Sequence, residues 1–312
     1  MPLPRPLLPS GRVAVAAPSS AAPDPVAAAA GLDALRARGL HVEVPRPDVA
    51  PYGFLAGPDA DRITELNALL ARPDLDAVVC LRGGTGALRL LPYLDYEAAR
   101  RHPKLVVGYS DITALLLALY AKAGLPGLHG PMVAPDWHRL DAASEAQFWA
   151  MAGGEAPIEL RGPDRERLRP LRTGSAEGVL LGGNLTLVAA LCGTPYLPDM
   201  TGALLFLEEV GELPYSVDRL LGQLHLAGVL DAIGGLVYGG FTEGDVPAGK
   251  PSLSMDEVLA FWAEKVRGPV ATGLVYGHFA RKSTIPVGVR SRLRVDNGRA
   301  DLTVLEPVAA AG

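Results

Sequence analysis

In the first half of the chain, short apolar runs alternate with stretches of helical period, and this alternation narrows the possible folds more than any other feature. Arg12–Ala17 reads as a strand, followed by Ala17-Pro18-Ser19-Ser20 and a helix over Asp24–Arg38. His41–Val44 reads as a second strand, Asp59–Ala71 as a helix and Asp76–Leu81 as a buried strand. Arg82-Gly83-Gly84-Thr85-Gly86 then opens a helix containing LRLLPYL. Leu105–Val107 is the next strand, leading through Gly108-Tyr109-Ser110-Asp111 into a helix over Ile112–Ala123. Strands separated by helices at this spacing predict an α/β domain with a parallel sheet covered on both faces. Ligands on such sheets sit at the carboxyl ends of the strands, where the glycine-rich loops fall.

The pattern changes near Gly153–Gly174, a charged segment rich in Pro and Gly without helical periodicity, which reads as a linker. Beyond it the chain is richer in strand patterns, at Leu204–Glu208, Ile233–Val237, Pro269–Val275, Gly288–Val295 and Ala300–Leu305. Asp296-Asn297-Gly298 between the last two predicts a type I′ hairpin. Helices are expected over Ser216–Leu226 and Met255–Val266, the second opened by a capping box of Ser254 and Glu257. The predicted division is an N-terminal α/β domain over 1–155, a linker over 156–174 and a C-terminal β-rich domain over 175–312.

At 312 residues, 49% of them apolar, the chain has ample length to bury a core. A net charge of -5 and the absence of Lys/Arg clusters argue against a nucleic-acid partner. No stretch approaches the roughly 18 apolar residues a membrane span needs, and the start, MPLPRPLLPSGR, lacks a signal-peptide apolar core. A cytoplasmic protein with no membrane association is expected. Cys80 and Cys192 each lie in an apolar run, which predicts buried thiols and neither a disulfide framework nor a zinc site.

The sharpest local feature is the strand, tight turn and helix around Ser110. A serine there projects its hydroxyl from the top of the sheet, with backbone N–H groups at the helix start available to a developing oxyanion. An N-cap serine, which needs no chemistry, is the other reading. The loop of Gly83 and Gly84 lets backbone approach a ligand closely. It departs from a dinucleotide fingerprint, because Arg89 stands where the third glycine would be. Gly182-Gly183-Asn184 reads as a third glycine-rich turn, with close packing or a helix cap as its plain alternative.

A nucleophilic serine needs a base, and the base an orienting carboxylate. Among six histidines, His278 ends a strand at Tyr276-Gly277-His278, just before the loop FARKSTIPVG, and His129, in LHGPM, is the second candidate. Glu208 closes the run Leu204–Leu207, whereas Glu209 and Glu212 fall in the exit turn; spacing leaves all three open. No HExxH or comparable cluster points to a metal, and no cofactor is expected.

In order along nearly the whole chain, seven segments resemble the LD-carboxypeptidase family of serine peptidases. They are VAVAAPSS, LRGGTGALRLLPYLDY, VVGYSDITALLLAL, LHGPM, GGNLTLVAALCGTPYLPD, FLEEVGELPYSVDRLLGQL and YGHFARKSTIPVGV. The best-known members are muramoyl-tetrapeptide carboxypeptidases. The resemblance implies Ser110 as nucleophile, His278 as general base and Glu208 as triad carboxylate, with an oxyanion hole from the N–H groups of Asp111 and Gly83. It also implies a flavodoxin-like N-terminal domain, a smaller C-terminal domain of swivelling type, a site in the cleft between them, and a homodimer.

The implied reaction is release of terminal D-alanine from a murein tetrapeptide in peptidoglycan recycling. Residues expected against the murein peptide are Arg82, Gly84, Thr85, Asn184 and Arg281, with Lys282 a further candidate for the substrate carboxylate. Many relatives carry a tyrosine where Thr85 stands, which leaves the contact of this loop with substrate open. A related branch hydrolyses peptide-nucleotide antibiotics and lacks an RGG-type loop, so the chain resembles the peptidoglycan branch more. The alternatives are that antibiotic-directed activity, or a two-domain ligand-binding protein without turnover.

Overall fold

Val13–Ala16 and Ala77–Cys80 are buried along their whole length and leave no side for solvent, and the structure pairs them side by side. The computed structural model describes residues 3–44, 46, 51–160 and 167–310. It divides into two compact units, one of 1–156 with 284–288 and 307–312, the other of 157–283 with 289–306.

The first unit runs β1 (Arg12–Ala16), α1 (Pro25–Ala37), β2 (His41–Glu43), α2 (Asp59–Leu70) and β3 (Ala77–Cys80). It continues with α3 (Tyr96–Arg101), β4 (Leu105–Val107), α4 (Ile112–Ala123), β5 (Gly127–His129) and α5 (Ala142–Ala152). The pairs β2–β1, β1–β3, β3–β4 and β4–β5 are all parallel. A sixth strand, Ile285–Val287, returns late in the sequence and adds antiparallel to the edge at β5, with Ile285 opposite His129. The sheet is therefore parallel but for one edge.

Helix boundaries follow local chemistry. Asp24 caps α1 by accepting from the Val26 N–H, with Pro25 at the first helical position. The helix α4 is buried on nearly every side and ends at Gly124, left-handed at φ 66°. The segment after the Arg82–Gly86 loop departs from expectation. It forms two short 3-10 turns, Ala87–Arg89 and Leu91–Tyr93, instead of a helix. Pro92 has no N–H to give and its ring crowds the preceding turn, so an α-helix cannot run through LRLLPYL. The unit is closed by the Leu7 N–H donating to Ala152 O (2.8 Å) and the Ala310 N–H donating to Pro4 O (2.8 Å).

The second unit runs β6 (Ile158–Leu160), β7 (Arg169–Arg172), β8 (Gly174–Asn184), α6 (Leu185–Leu191) and β9 (Leu204–Val210). After it come α7 (Pro214–Leu226), α8 (Val229–Ala232), β10 (Gly235–Thr242), α9 (Met255–Ala263) and β11 (Val270–Thr272). With Ile285–Val287 counted as β12, the unit ends in β13 (Val289–Asp296) and β14 (Arg299–Val304). One sheet has the order β6-β14-β13-β8-β9-β10-β11-β7. Its centre, β8 to β11, is parallel, while β6, β14 and β13 are antiparallel on one flank and β7 on the other. The burial follows: β9 is buried at six successive positions, whereas β13 alternates buried and exposed.

Several expectations meet a different outcome here. The stretch 156–174 contributes β6 and β7 to the second sheet, and its centre, 161–166, lies outside the described residues. Gly182-Gly183-Asn184 is the end of a long strand and not a turn, and its plain alternatives hold: Asn184 caps α6 by accepting from the Leu187 N–H, and Gly182 packs closely against the Phe206 backbone. The β13–β14 hairpin forms, with Asp296 opposite Arg299, but only Gly298 (φ 88°) of its two loop residues is left-handed, so the turn is not type I′. The capping box of Ser254 and Glu257 is present as expected. Cys80 is buried and Cys192 only half-buried. No helix among the described residues is long and apolar enough to cross a membrane.

Lys104, just before β4, is 1% exposed. Its amine donates to the carbonyls of Leu70 and His102. Burial pulls its pKa down to about 8, reinforced by Arg5 and Arg72 and opposed by Asp74. A lysine with a depressed folded pKa penalises the fold while it is charged. That penalty is full below about pH 8 and fades toward the ordinary value of 10.5. The unfolding free energy of wild type relative to Lys104→Met is therefore expected to rise between pH 8 and 10, measured by urea titration at each pH.

Candidate active site

The carboxyl ends of β1, β3 and β4 place three loops of the first unit together. Ser110, after β4, has φ 62°, one of three non-glycine residues with positive φ among the described residues. It stands one residue before Asp111, the N-cap of α4. An N-cap takes an extended or near-helical backbone, so Ser110 is not a helix cap and its left-handed conformation needs another account. The arrangement is a strand, a tight turn and a helix with the serine at the turn, the geometry in which a side-chain hydroxyl can stand above a sheet.

Gly83, after β3, presses against this elbow. A methyl group at Gly83 would lie 2.9 Å from Ser110 Cβ and 3.1 Å from its Oγ, so only glycine permits the approach. The backbone N–H groups of Gly83 and Asp111 take no hydrogen-bond acceptor among the described residues. Two such donors beside a serine oxygen are what an oxyanion requires. Burial raises the Asp111 carboxyl pKa, opposed by hydrogen bonds from Ser19 and Ala87 and by the charge of Arg62.

The second unit brings Glu208 and His278 together. Glu208, on β9, is fully buried, and its Oε2 lies 2.9 Å from His278 Nδ1. A buried carboxylate can only accept, so Nδ1 carries the proton and the lone pair falls to Nε2, the tautomer a general base needs. The strand expected to end at His278 stops instead at Thr272. The following residues still track β10, through the Leu274 N–H donating to Tyr238 O and the Gly240 N–H to Tyr276 O.

The adjacent carboxylates divide their work. Asn184, opposite Glu208 in the β8–β9 register, donates its amide to Glu208 Oε1 (3.2 Å) and to Glu209 Oε1 (2.8 Å). Glu209 also accepts from Thr186 N and Oγ1 at the start of α6. Glu212 accepts from Ser216 Oγ in the first turn of α7. Of the three glutamates weighed from sequence, Glu208 alone contacts the histidine in the described contacts. Asn184, expected against substrate, has its side chain engaged within the protein.

Of the remaining candidates, His129 is fully buried on β5. Gly84 and Thr85 are exposed, and the Thr85 N–H donates to Ser20 Oγ (3.1 Å). Arg82 is part-buried and donates to Ala21 O (3.3 Å); Arg281 is exposed and Lys282 buried. Ser19, Ser20 and Arg62 also hold these loops, and none of them is among the expected site residues. The first two stand in the APSS segment that follows β1, a visible signal, whereas a buried arginine on the polar-looking α2 gives none.

Residues 13–130 match the LD-carboxypeptidase N-terminal domain and residues 177–293 the LD-carboxypeptidase C-terminal domain. A carboxypeptidase-family protein of Streptomyces coelicolor is 39% identical over 95% of this chain and 94% of its own. The crystal structure of a muramoyltetrapeptide carboxypeptidase from Oxalobacter formigenes superposes with a TM-score of 0.84 at 32% identity, covering 95% of this chain and 99% of that one. The microcin C7 self-immunity protein of Escherichia coli is 28% identical over 80% of each chain.

Gly277 sits at φ 133°, and a methyl group there would lie 3.0 Å from Glu208 Oε2. Gly277→Ala is expected to displace the Glu208–His278 pair and to lower stability by about 1–3 kcal/mol. The downfield proton resonance of the hydrogen-bonded His278 Nδ1–H would be lost, and denaturant titration would give the stability change.

Proposed function

Because the chain belongs to the LD-carboxypeptidase family, we propose that it releases the terminal D-alanine of a murein tetrapeptide by acyl transfer to a serine. Ser110 is the nucleophile, His278 its base, and Glu208 the carboxylate that orients His278. The observation that supports this reading most is the left-handed Ser110 elbow with the N–H groups of Gly83 and Asp111 beside it.

In this mechanism Ser110 Oγ attacks the carbonyl carbon of the bond before the terminal D-residue as His278 Nε2 takes the hydroxyl proton. Negative charge develops on the carbonyl oxygen and is met by the Gly83 and Asp111 N–H groups. Glu208 holds the Nδ1–H and stabilises the imidazolium. His278 then returns the proton to the leaving amine, D-alanine departs, and water, deprotonated by the same histidine, releases the peptide and regenerates Ser110. The free carboxylate of the substrate calls for a cation, for which Arg82 and Arg281 are the proposed groups. The protein acts in this reading as a cytoplasmic homodimer on recycled wall peptides.

A second reading keeps the serine chemistry and takes a peptide-nucleotide antibiotic as substrate. Its support is the 28% identity with the microcin C7 self-immunity protein. Chromatography of products from a defined murein tetrapeptide and from such a conjugate, each assayed side by side, separates the two. With the murein peptide, Ser110→Ala is expected to lower kcat by about 10⁴-fold or more. Undiminished D-alanine release by that variant would remove Ser110 from the mechanism.

A further inference from the structure

An aspartate at a helix N-cap ordinarily turns its carboxylate back onto the first N–H groups of its own helix. Asp111 does not: its side chain makes no capping bond to α4. It points inward, 3% exposed, and one oxygen, Oδ2, accepts from Ser19 Oγ–H at 2.6 Å and from the Ala87 N–H at 2.8 Å. A single carboxylate thus joins the loop after β1, the loop after β3 and the loop after β4.

The neighbouring contacts grip the same glycine loop. The Ser20 N–H donates to Gly83 O (3.2 Å), and Ser20 Oγ accepts from the Thr85 N–H (3.1 Å). Buried Arg62 donates to Pro18 O and to Gly86 O. Gly83, Thr85, Gly86 and Ala87 are therefore each tied through one backbone group to the loop after β1, to α2 or to Asp111. The Gly83 N–H is left outside this set. On the other side, the backbone N–H of Asp111 is itself the second donor at Ser110.

We propose that Asp111 and Ser19 are positioning residues, whose hydrogen bond sets the Ser110 elbow and the Gly83 loop in the register that lets both N–H groups meet one oxygen. The proposal rests on the reading of Ser110 as nucleophile. A carboxylate that served only the fold would cost stability when lost but leave the rate per folded molecule intact. Loss of positioning lowers the rate of attack and leaves ground-state binding alone.

The experiment measures Ser110 phosphonylation by a fluorophosphonate, a probe of the nucleophile that does not depend on the natural substrate. The full chain is used, with rates normalised to the folded fraction from thermal melts, and kcat and KM are taken for D-alanine release. Asp111→Ala is expected to slow phosphonylation and kcat by about 10²-fold with KM unchanged. Asp111→Asn retains an acceptor oxygen and is expected to recover to within about tenfold of wild type. Ser19→Ala removes one donor and no charge, falls between the two, and decides the matter if Asp111→Ala does not fold. Wild-type rates in Ser19→Ala, or equal losses in Asp111→Ala and Asp111→Asn, overturn the proposal. A wild-type protein that is not labelled at Ser110 overturns the nucleophile reading instead.

Discussion

A serine held at φ 62° costs about 1–3 kcal/mol against an ordinary backbone, and it persists only where its surroundings over-determine it. Much of the first unit meets that demand. The parallel sheet brings the ends of β1, β3 and β4 to one edge, so three loops distant in sequence become neighbours. The buried helix α4 fixes the direction in which the chain must leave the elbow. Gly83 supplies the near wall because any side chain there would collide with Ser110. Sheet, helix and glycine are separate features of the sequence, and the geometry at Ser110 exists only where all are present.

The second unit meets a different cost, that of removing carboxylates from water. Glu208 and Glu209 are consecutive and both buried, and neither could remain so without donors. Asn184 offers one amide hydrogen to each, Thr186 completes Glu209, and His278 completes Glu208. Each carboxylate is thereby solvated by the protein. The one assigned to α6 secures the local structure, and the other is left to face an imidazole.

How much of this could be read from sequence depended on the range of the interaction that decides each feature. The helices α1, α4 and α9 announce themselves through caps and apolar period, which are local. The strand, turn and helix around Ser110 were legible for the same reason, but the sign of its φ was not, since distant loops impose it. The strand β8 escaped because GSAEGVLLGGN carries glycines that read as turns, although its pairing with β9 and β13 overrides that preference. β6 and β7 are short and polar and take their conformation from their partners. Spacing cannot tell which of Glu208, Glu209 and Glu212 meets a histidine, because the one that Glu208 contacts, His278, lies 70 residues beyond it. Pro92 is the local signal against a helix through LRLLPYL.

The first unit is not continuous along the chain. Its edge strand comes from Ile285–Val287, and its closing bond joins Ala310 to Pro4. Until residue 287 has been made, β5 is an open strand edge, an invitation to pairing with other chains. During synthesis, which proceeds from the amino end, the residues of the Ser110 elbow are thus made long before the last strand of the sheet that carries them. The whole of 157–283 must leave the ribosome first, and a nascent chain stalled within it would hold the Ser110 loop beside a sheet that lacks its edge strand, a state for chaperones to shield.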